Sequence, residues 1–527
     1  MLPPSYRPYL MQEPATSTPV PSRDTPRLQA RLQPELPALA WCLQLQQGDP
    51  VARVDHGAEV LVLPDAIAEG CWAGALTAEG LLGADVCAAT GVALHDGGLW
   101  LCTPTHTMSR LHSLQLGPRL LVSNSMALLC AAAGLDLDPG YAFYKDDLCS
   151  IKDGLSKARH SVPLAGGHTL RLHYHCNVRV HADLRLQEQA KACPTIGDSF
   201  EAYRAMLLDR IGAALRNAAD ERRPVRLQPI STLSRGYDSV SCTVLARELG
   251  CREVLCFRDP EAPEPDADNG AALAARLGMQ AHVAQRTAYQ SLGACPLFLS
   301  TGTGGEDVFL AAHSELLRHR VLISGFHGDK VWDRHASHFS PDIVRGDPSG
   351  ADLEEFRMDL GFFHLPVPFI GCQAKKDIHA ISASEALSAW RVPGDYDRPI
   401  CRRLGEDAGL PREDFGMKKR VMSRAFSRGD QTRSYLGPQA EPAFRDYLAR
   451  HPVARRPQDL FLHALHRGLT ALGRVLGRHS YRLQRLLDAQ AQRLARHADD
   501  FHAQRALFPW GFAQRLGRYQ AAWLRRV

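Results

Sequence analysis

The sequence predicts an α/β protein in which an antiparallel sandwich comes first, a parallel sheet with helices follows, and a helical part comes last. Three observations give this order. Between residues 36 and 186, short apolar runs separated by Gly and Asp recur at the spacing of antiparallel strands, roughly 8–12 residues. From residue 198 onward, strand-like and helix-like segments alternate, which is typical of a parallel sheet. Beyond residue 440, the sequence is rich in Leu, His and Arg, and its pattern favours helices.

Composition divides the chain into four parts. The first part is rich in Pro, Ser and Thr and poor in apolar residues, a composition typical of disorder. The last part holds sixteen arginines against six acidic residues. The predicted boundaries are a disordered tail at 1–35, an antiparallel domain at 36–190, a parallel-sheet domain at 195–440 and a basic helical extension at 441–527.

The bulk composition is that of an ordinary intracellular protein. Apolar residues make up 45% of the chain and charged residues 23%, and the net charge is +5. The fourteen cysteines show no Cys-x-x-Cys pair and no Cys/His cluster at zinc spacing, which favours reduced thiols. Because no apolar run approaches the ~18 residues that span a bilayer, we expect a cytoplasmic protein without a membrane partner.

The individual elements of the parallel region follow from periodicity. A capping signature at Ser199 precedes a helix over residues 198–222, whose apolar positions recur every fourth residue. Further helices are predicted at 240–249, 269–277 and 314–318, and strands at 225–233, 254–257, 280–284 and 320–323.

The most informative segment, residues 229–239, runs from an apolar strand through a small-residue turn into a helix. Such a turn presents backbone N–H groups and a helix N-terminus to phosphate oxygens. It is not a Walker A loop, because no Gly-Lys-Ser/Thr follows. Its order, Ser-x-Gly-x-Asp-Ser from Ser234 to Ser239, resembles the pyrophosphate-binding loop (PP-loop) of the ATP pyrophosphatases.

Two later blocks narrow the resemblance. Residues 321–329 form an apolar strand followed by a turn with Gly325, Gly328 and Asp329, and residues 397–419 carry an Arg-x-x…Leu-Pro…Lys-Lys pattern. With the PP-loop, these blocks resemble asparagine synthetase and β-lactam synthetase over residues 195–430. Charged groups at the ends of parallel strands would then meet at one edge of the sheet.

Residues 120–129 and 164–170 are similar to the later part of the N-terminal-nucleophile (Ntn) glutaminase domain of these enzymes. The resemblance therefore implies an Ntn-hydrolase-like αββα sandwich followed by a PP-loop synthetase domain. Leu2 stands where that family has its catalytic cysteine. We therefore expect a degenerate glutaminase-like domain and a nitrogen source other than glutamine.

The resemblance implies an enzyme that uses ATP and Mg²⁺ to adenylate a carboxylate and then joins it to an amine. Asp238 and Asp329 would bind the metal, and Lys419 or its neighbour Lys418 would stabilise charge on the reacting group. Glu306, in a Gly-rich loop, is a candidate acid–base group, with a helix-capping turn as the alternative. The implied nucleotide-binding residues are Ser234, Arg235, Gly236, Asp238, Ser239, Phe257, Gly325 and Gly328.

Two departures from the family keep alternatives open. Arg235 replaces the second glycine of the loop, and Lys330 stands where the family has Glu. A non-catalytic scaffold would explain both changes, and a PP-loop enzyme of RNA modification would suit the basic C-terminal part. The main hypothesis remains tailoring of a natural product or peptide, with small-molecule or peptide carboxylate and amine substrates. A nucleic-acid partner is not expected, and a homodimer is compatible with the sequence.

Overall fold

The computed structural model describes residues 26–260, 264–293, 308–417, 432–451, 457–476, 487, 490 and 500–524. Within them the protein is a mixed α/β structure with antiparallel sheets, a parallel sheet and many helices, as predicted at that level. Among the described helices, none combines the length and the apolar character needed to cross a bilayer.

Two sheets make up the N-terminal region. The first has the order β1-β3-β2-β9-β8-β11-β10 and the second β13-β12-β7-β6-β5-β4. Their strands are β1 (Arg27–Leu32), β2 (Trp41–Gln46), β3 (Val51–His56), β4 (Leu61–Val62), β5 (Ala66–Trp72), β6 (Cys87–His95), β7 (Gly98–Cys102), β8 (Leu111–Leu116), β9 (Arg119–Ser123), β10 (Ser161–Pro163), β11 (Thr169–His173), β12 (Cys176–Val180) and β13 (Leu186–Ala190).

The two sheets face each other across a shared apolar core. On β9, Leu120 and Val122 point into this core, while Leu121 between them points to the other side of the sheet. This period-2 alternation allows one strand to serve two cores. Helices cover the outer faces: α2 (Met126–Ala133) packs on the first sheet, and α1 (Ala78–Leu82) and α4 (Phe200–Ala218) pack on the second.

The first strand corrects one prediction. Residues 27–32 form β1, which pairs in parallel with β3 at the edge of the first sheet. Residues 1–35 were predicted to be disordered from their composition, and this is wrong for β1. The segment alternates apolar and polar residues, and pairing with β3 supplies its backbone hydrogen bonds.

The third sheet is parallel throughout, with the order β16-β15-β14-β17-β18. Strand β14 leads into α5 (Tyr237–Glu248) and then into β15 and β16 on one side. The chain then crosses to β17 and β18 on the other side. The direction in which strands are added therefore reverses between β14 and β17. The strands are β14 (Gln228–Thr232), β15 (Glu253–Arg258), β16 (Gln280–Gln285), β17 (Arg320–Ser324) and β18 (Phe363–Pro366).

The remaining helices surround this sheet or link it to the antiparallel region. They are α3 (Tyr144–Cys149), α5 (Tyr237–Glu248), α6 (Ala271–Arg276), α7 (Ser314–Leu317), α8 (Gly328–Val331), α9 (Glu354–Leu360), α10 (Lys375–Ala383), α11 (Pro399–Asp407), α12 (Thr432–Arg450), α13 (Pro457–Leu476) and α14 (Asp500–Leu524). Helix α14 is part of the main body of the protein, because Phe508 and Phe512 are buried in the same core as α2.

We expect Glu253→Gln to lower the free energy of unfolding by about 1 kcal/mol at pH 7. Glu253 accepts two hydrogen bonds from Arg320, at 2.7 and 3.2 Å, and one ring nitrogen of His282 lies at 2.8 Å. These contacts join the amino ends of β15, β16 and β17.

The Arg320 hydrogen bonds hold the pKa of Glu253 below its ordinary value. The stabilisation is therefore present at neutral pH and is lost as the pH falls through the folded-state pKa. Urea unfolding at several pH values measures it, and equal stability of the two proteins at pH 7 would contradict the prediction.

Candidate functional site

The candidate site lies where the strand order reverses, at the carboxyl ends of β14 and β17. In open parallel sheets, ligands bind in the crevice outside the carboxyl ends at such a switch point. Two turns leave the sheet here, and we call residues 234–239 the first turn and residues 325–329 the second turn. The sequence predicted both turns at strand ends, and the topology places them side by side.

The first turn is held together by its own polar groups. The Ser234 N–H donates to Ser239 Oγ at 3.0 Å, and the two hydroxyl oxygens lie 3.0 Å apart. The Gly236 N–H donates to Ser234 Oγ at 3.1 Å, and the Arg235 N–H donates to the Asp268 carbonyl at 3.3 Å. The predicted phosphate-binding residues are thus brought together, but these three N–H groups are satisfied within the protein, and a phosphate would have to replace their present acceptors.

Asp238 packs directly against the second turn. A Cβ atom added at Gly325 would lie 2.7 Å from the Asp238 carbonyl carbon, and one at Gly328 would lie 2.6 Å from Asp238 Oδ1. Neither position has room for a side chain while Asp238 keeps its place. The glycines of the second turn are therefore required by the close approach of the two turns.

Asp238 is also ion-paired. Its Oδ1 accepts a hydrogen bond from Arg398, whose side chain is only 4% exposed and stacks over the Tyr396 ring at 4.9 Å. Burial alone would lower the pKa of Arg398, but the Asp238 carboxylate holds it above its ordinary value. The sequence identified the block that contains Arg398 without giving it a role. Its partner is 160 residues away, and no local pattern signals such a pair.

Asp329, the other predicted metal ligand, lies in the second turn and contacts Lys330 Nζ at 3.0 Å. Lys375, at the start of α10, belongs to the same group of charges. Burial lowers the pKa of Lys375, Asp333 and Asp329 oppose this shift, and Lys330 adds to it.

Arg235 is hydrogen-bonded to the segment around Asp414 and Gly416. Its Nε donates to the Asp414 carbonyl at 2.9 Å, and its own carbonyl accepts the Gly416 N–H at 2.8 Å. These two hydrogen bonds join the late segment of the family pattern to the first turn. Lys418 follows Gly416 by two residues. Lys418 and Lys419 themselves lie outside the described residues, as does Glu306.

Phe257, a predicted nucleotide contact, is the penultimate residue of β15. Its ring packs edge-on against Phe309, with ring centroids 4.7 Å apart, and the residue is only 7% exposed. It belongs to the apolar core on one side of the sheet.

These residue types fit a magnesium–nucleotide complex. Hydroxyls at a helix N-terminus bind phosphate, and carboxylates at the ends of adjacent strands are typical ligands of its metal. Both carboxylates already contact protein cations, Arg398 and Lys330. A metal bound here would compete with these two side chains for Asp238 and Asp329.

Comparison with known proteins identifies no family. No family model and no curated protein matches this chain. One solved structure, described as a predicted subunit of tRNA methyltransferase from Methanocaldococcus jannaschii, is 16% identical and matches 38% of this chain and 96% of its own. Its TM-score is 0.18, and a likeness at that level carries no argument about fold or function.

Proposed function

We propose that this protein is an ATP-dependent amide-forming enzyme of the asparagine synthetase type. It adenylates a substrate carboxylate, releasing pyrophosphate, and the acyl-adenylate is then attacked by an amine that does not come from glutamine. The observation that carries the proposal is the contact of Asp238 with Gly325 and Gly328 at the switch point of the parallel sheet. It joins the two strand-end turns on which the family resemblance rests.

The proposed roles follow from the groups present. Ser234, Gly236 and Ser239, with the N-terminus of α5, hold the phosphates. Asp238 and Asp329 hold Mg²⁺, which when bound supplies neutralisation of phosphate charge. Arg398 keeps the Asp238 carboxylate in place against the second turn.

The charge of the reacting group needs a cation nearby. Lys419 or Lys418 has this role in the proposal, because the segment that leads to them is bonded to the first turn through Gly416. Lys375 is a further ammonium in the same group of charges as Asp329, and burial lowers its pKa.

For the antiparallel region we propose a glutaminase-like domain that has kept its architecture and lost its reaction. Two facing sheets with helices on both outer faces are compatible with the αββα arrangement that the resemblance implies. The amine is then supplied by the substrate or by a second molecule, which suits tailoring of a peptide or natural product.

RNA modification is the competing function, and the arginine-rich C-terminal part favours it. In α14, however, the buried Arg515 and the 57% exposed Arg518 both contact the carboxylate of Asp359. Arginines held in this way are less available for phosphate contacts. An RNA titration at several salt concentrations decides the point, because RNA binding through many phosphates gives a steep salt dependence.

The first experiment is a product assay with the full-length protein, ATP and Mg²⁺, screened against carboxylic acids and amines. The proposal predicts AMP and pyrophosphate in equal amounts, dependent on the acid. Formation of ADP and phosphate would contradict it, and so would the absence of nucleotide turnover throughout the screen.

A further inference from the structure

A second group of chemically active side chains lies far along the chain from the two turns, where the first sheet passes into the second. His173 ends β11, Cys176 begins β12, and Glu188 lies on β13. The antiparallel register pairs Glu188 with Val178, which brings its carboxylate beside the other two. One ligand atom from each residue lies within 4.8 Å of the other two.

We propose that His173, Cys176 and Glu188 form a binding site for a borderline divalent cation of the zinc type. A thiolate, an imidazole nitrogen and a carboxylate oxygen are ligands that Zn²⁺ takes, and a water completes four-coordination. A zinc spacing is not visible in the sequence, because the third ligand comes from a neighbouring strand. The site belongs to the antiparallel sheets and does not depend on the proposed nucleotide chemistry.

Charge balance supports a divalent ion. One thiolate and one carboxylate carry two negative charges, so that the complex with a divalent ion and a neutral imidazole has no net charge. A neutral complex avoids most of the desolvation cost of a buried ion. A monovalent cation would leave one negative charge uncompensated beside two buried ligands.

The surroundings of His173 resemble a second coordination shell. One ring nitrogen, Nε2, lies 2.8 Å from the buried Ser113 hydroxyl, and the other, Nδ1, lies 2.7 Å from Glu188 Oε1. Ligating histidines commonly use their second nitrogen in this way, since the bond fixes the orientation of the ring. Ser113 thus directs Nδ1 towards Glu188.

Two hydrogen bonds to Thr103 hold the backbone of Cys176 in place. Its N–H donates to Thr103 Oγ1 at 2.8 Å, and the Thr103 hydroxyl donates to its carbonyl at 2.9 Å. His173 and Cys176 are buried, whereas the Glu188 side chain is 43% exposed. An ion can therefore enter from the Glu188 side and bind to two ligands that are already in position.

A nearby ammonium opposes a cation here. Lys191 Nζ contacts Cys102 Sγ at 3.2 Å and Asn177 Oδ1 at 2.9 Å. A hydrogen bond from Cys87 and the charge of Lys191 hold the pKa of Cys102 below its ordinary value. The ammonium thus donates to two groups that are not among the proposed ligands.

Co²⁺ is the probe of choice for the full-length protein, because a cobalt–thiolate bond gives a charge-transfer band in the near ultraviolet. The wild type should bind one ion per chain with this band. Cys176→Ser should lose the band, and Glu188→Gln and His173→Gln should weaken binding at least tenfold. Cys193→Ser, which changes an exposed cysteine, is the matched control and should keep the band.

Each result decides for or against the site. A wild type without the band overturns the proposal, and so does a band that survives Cys176→Ser or is lost in Cys193→Ser. Melting curves without metal check that the variants fold. If Cys176→Ser does not fold, the half-exposed Glu188→Gln still decides, because unchanged Co²⁺ affinity in that variant excludes the carboxylate and with it the three-ligand site.

Discussion

Asp329→Asn is expected to lower Mg²⁺-dependent pyrophosphate release by a factor on the order of a thousand and to leave the protein folded. The carboxylate is proposed to bind the metal that neutralises the phosphates, and a neutral amide is a much weaker ligand for Mg²⁺. The fold tolerates the change because the Asp329 side chain is 20% exposed and its partner Lys330 reaches solvent. Single-turnover pyrophosphate release and thermal melting measure the two effects.

Asp238→Asn should differ from Asp329→Asn in its stability, because Asp238 forms an ion pair with Arg398. Activity should fall to a similar extent, but the variant should also lose about 3–5 kcal/mol of stability, because the buried Arg398 is left without its carboxylate. An activity loss without a stability loss at Asp238 would contradict the importance of the Arg398 pair.

Asp220→Asn is the matched control for Asp329→Asn. Its side chain is 28% exposed and contacts Arg222 at 2.9 Å, a setting similar to that of Asp329 and Lys330, but it precedes the parallel sheet. It should keep full activity. If Asp329→Asn also turns over at the wild-type rate, the proposed metal ligand is wrong.

Arg357→Met is expected to lower the free energy of unfolding by about 3–5 kcal/mol at neutral pH. Arg357 is on α9, beside the parallel sheet, and is buried. It donates to both oxygens of Glu69 on β5, at 2.6 and 2.9 Å, and to Glu354 at 2.9 Å. Its removal leaves two buried carboxylates without a cation, at the junction of the antiparallel and parallel regions.

The pH dependence of the stability loss in Arg357→Met distinguishes unpaired buried charge from lost packing as its cause. Burial already raises the pKa of Glu354 above its ordinary value, and the loss of the Arg357 charge, which opposes this shift, should raise it further. The folded state then binds more protons than the unfolded state, so stability rises as the pH falls. The difference in the free energy of unfolding between wild type and Arg357→Met should therefore become smaller from pH 8 to pH 5. A deficit independent of pH would show that lost packing, and not unpaired charge, causes the effect.

Local periodicity predicted much of the parallel region. The helix expected at 198–222 is α4, and the strands expected at 254–257, 280–284 and 320–323 are β15, β16 and β17. These elements have strong apolar patterns and clear caps or glycine stops, so local sequence decides their conformation. The N-terminal edge strand was missed, because its surroundings are rich in Pro and its stability comes from pairing with β3.

The sequence predicted the two turns of the candidate site, but it did not predict the ion pairs that join distant parts of the chain. The two turns were found because each carries small and acidic residues at a strand end. The pairs Asp238–Arg398 and Glu69–Arg357 join residues 160 and 288 positions apart. A buried ion pair of this kind leaves no periodic trace in the sequence, since the fold alone brings its members together.

In the proposed reaction, a carboxylate of the substrate becomes bonded to the α-phosphorus of ATP. The most direct measurement uses a substrate acid labelled with ¹⁸O in its carboxyl group, once the product assay has identified one. When the amine displaces AMP, the oxygen that joined the carboxyl carbon to phosphorus leaves with the nucleotide. We expect one ¹⁸O atom in AMP for each amide formed. Label in inorganic phosphate, or AMP without label, would contradict it.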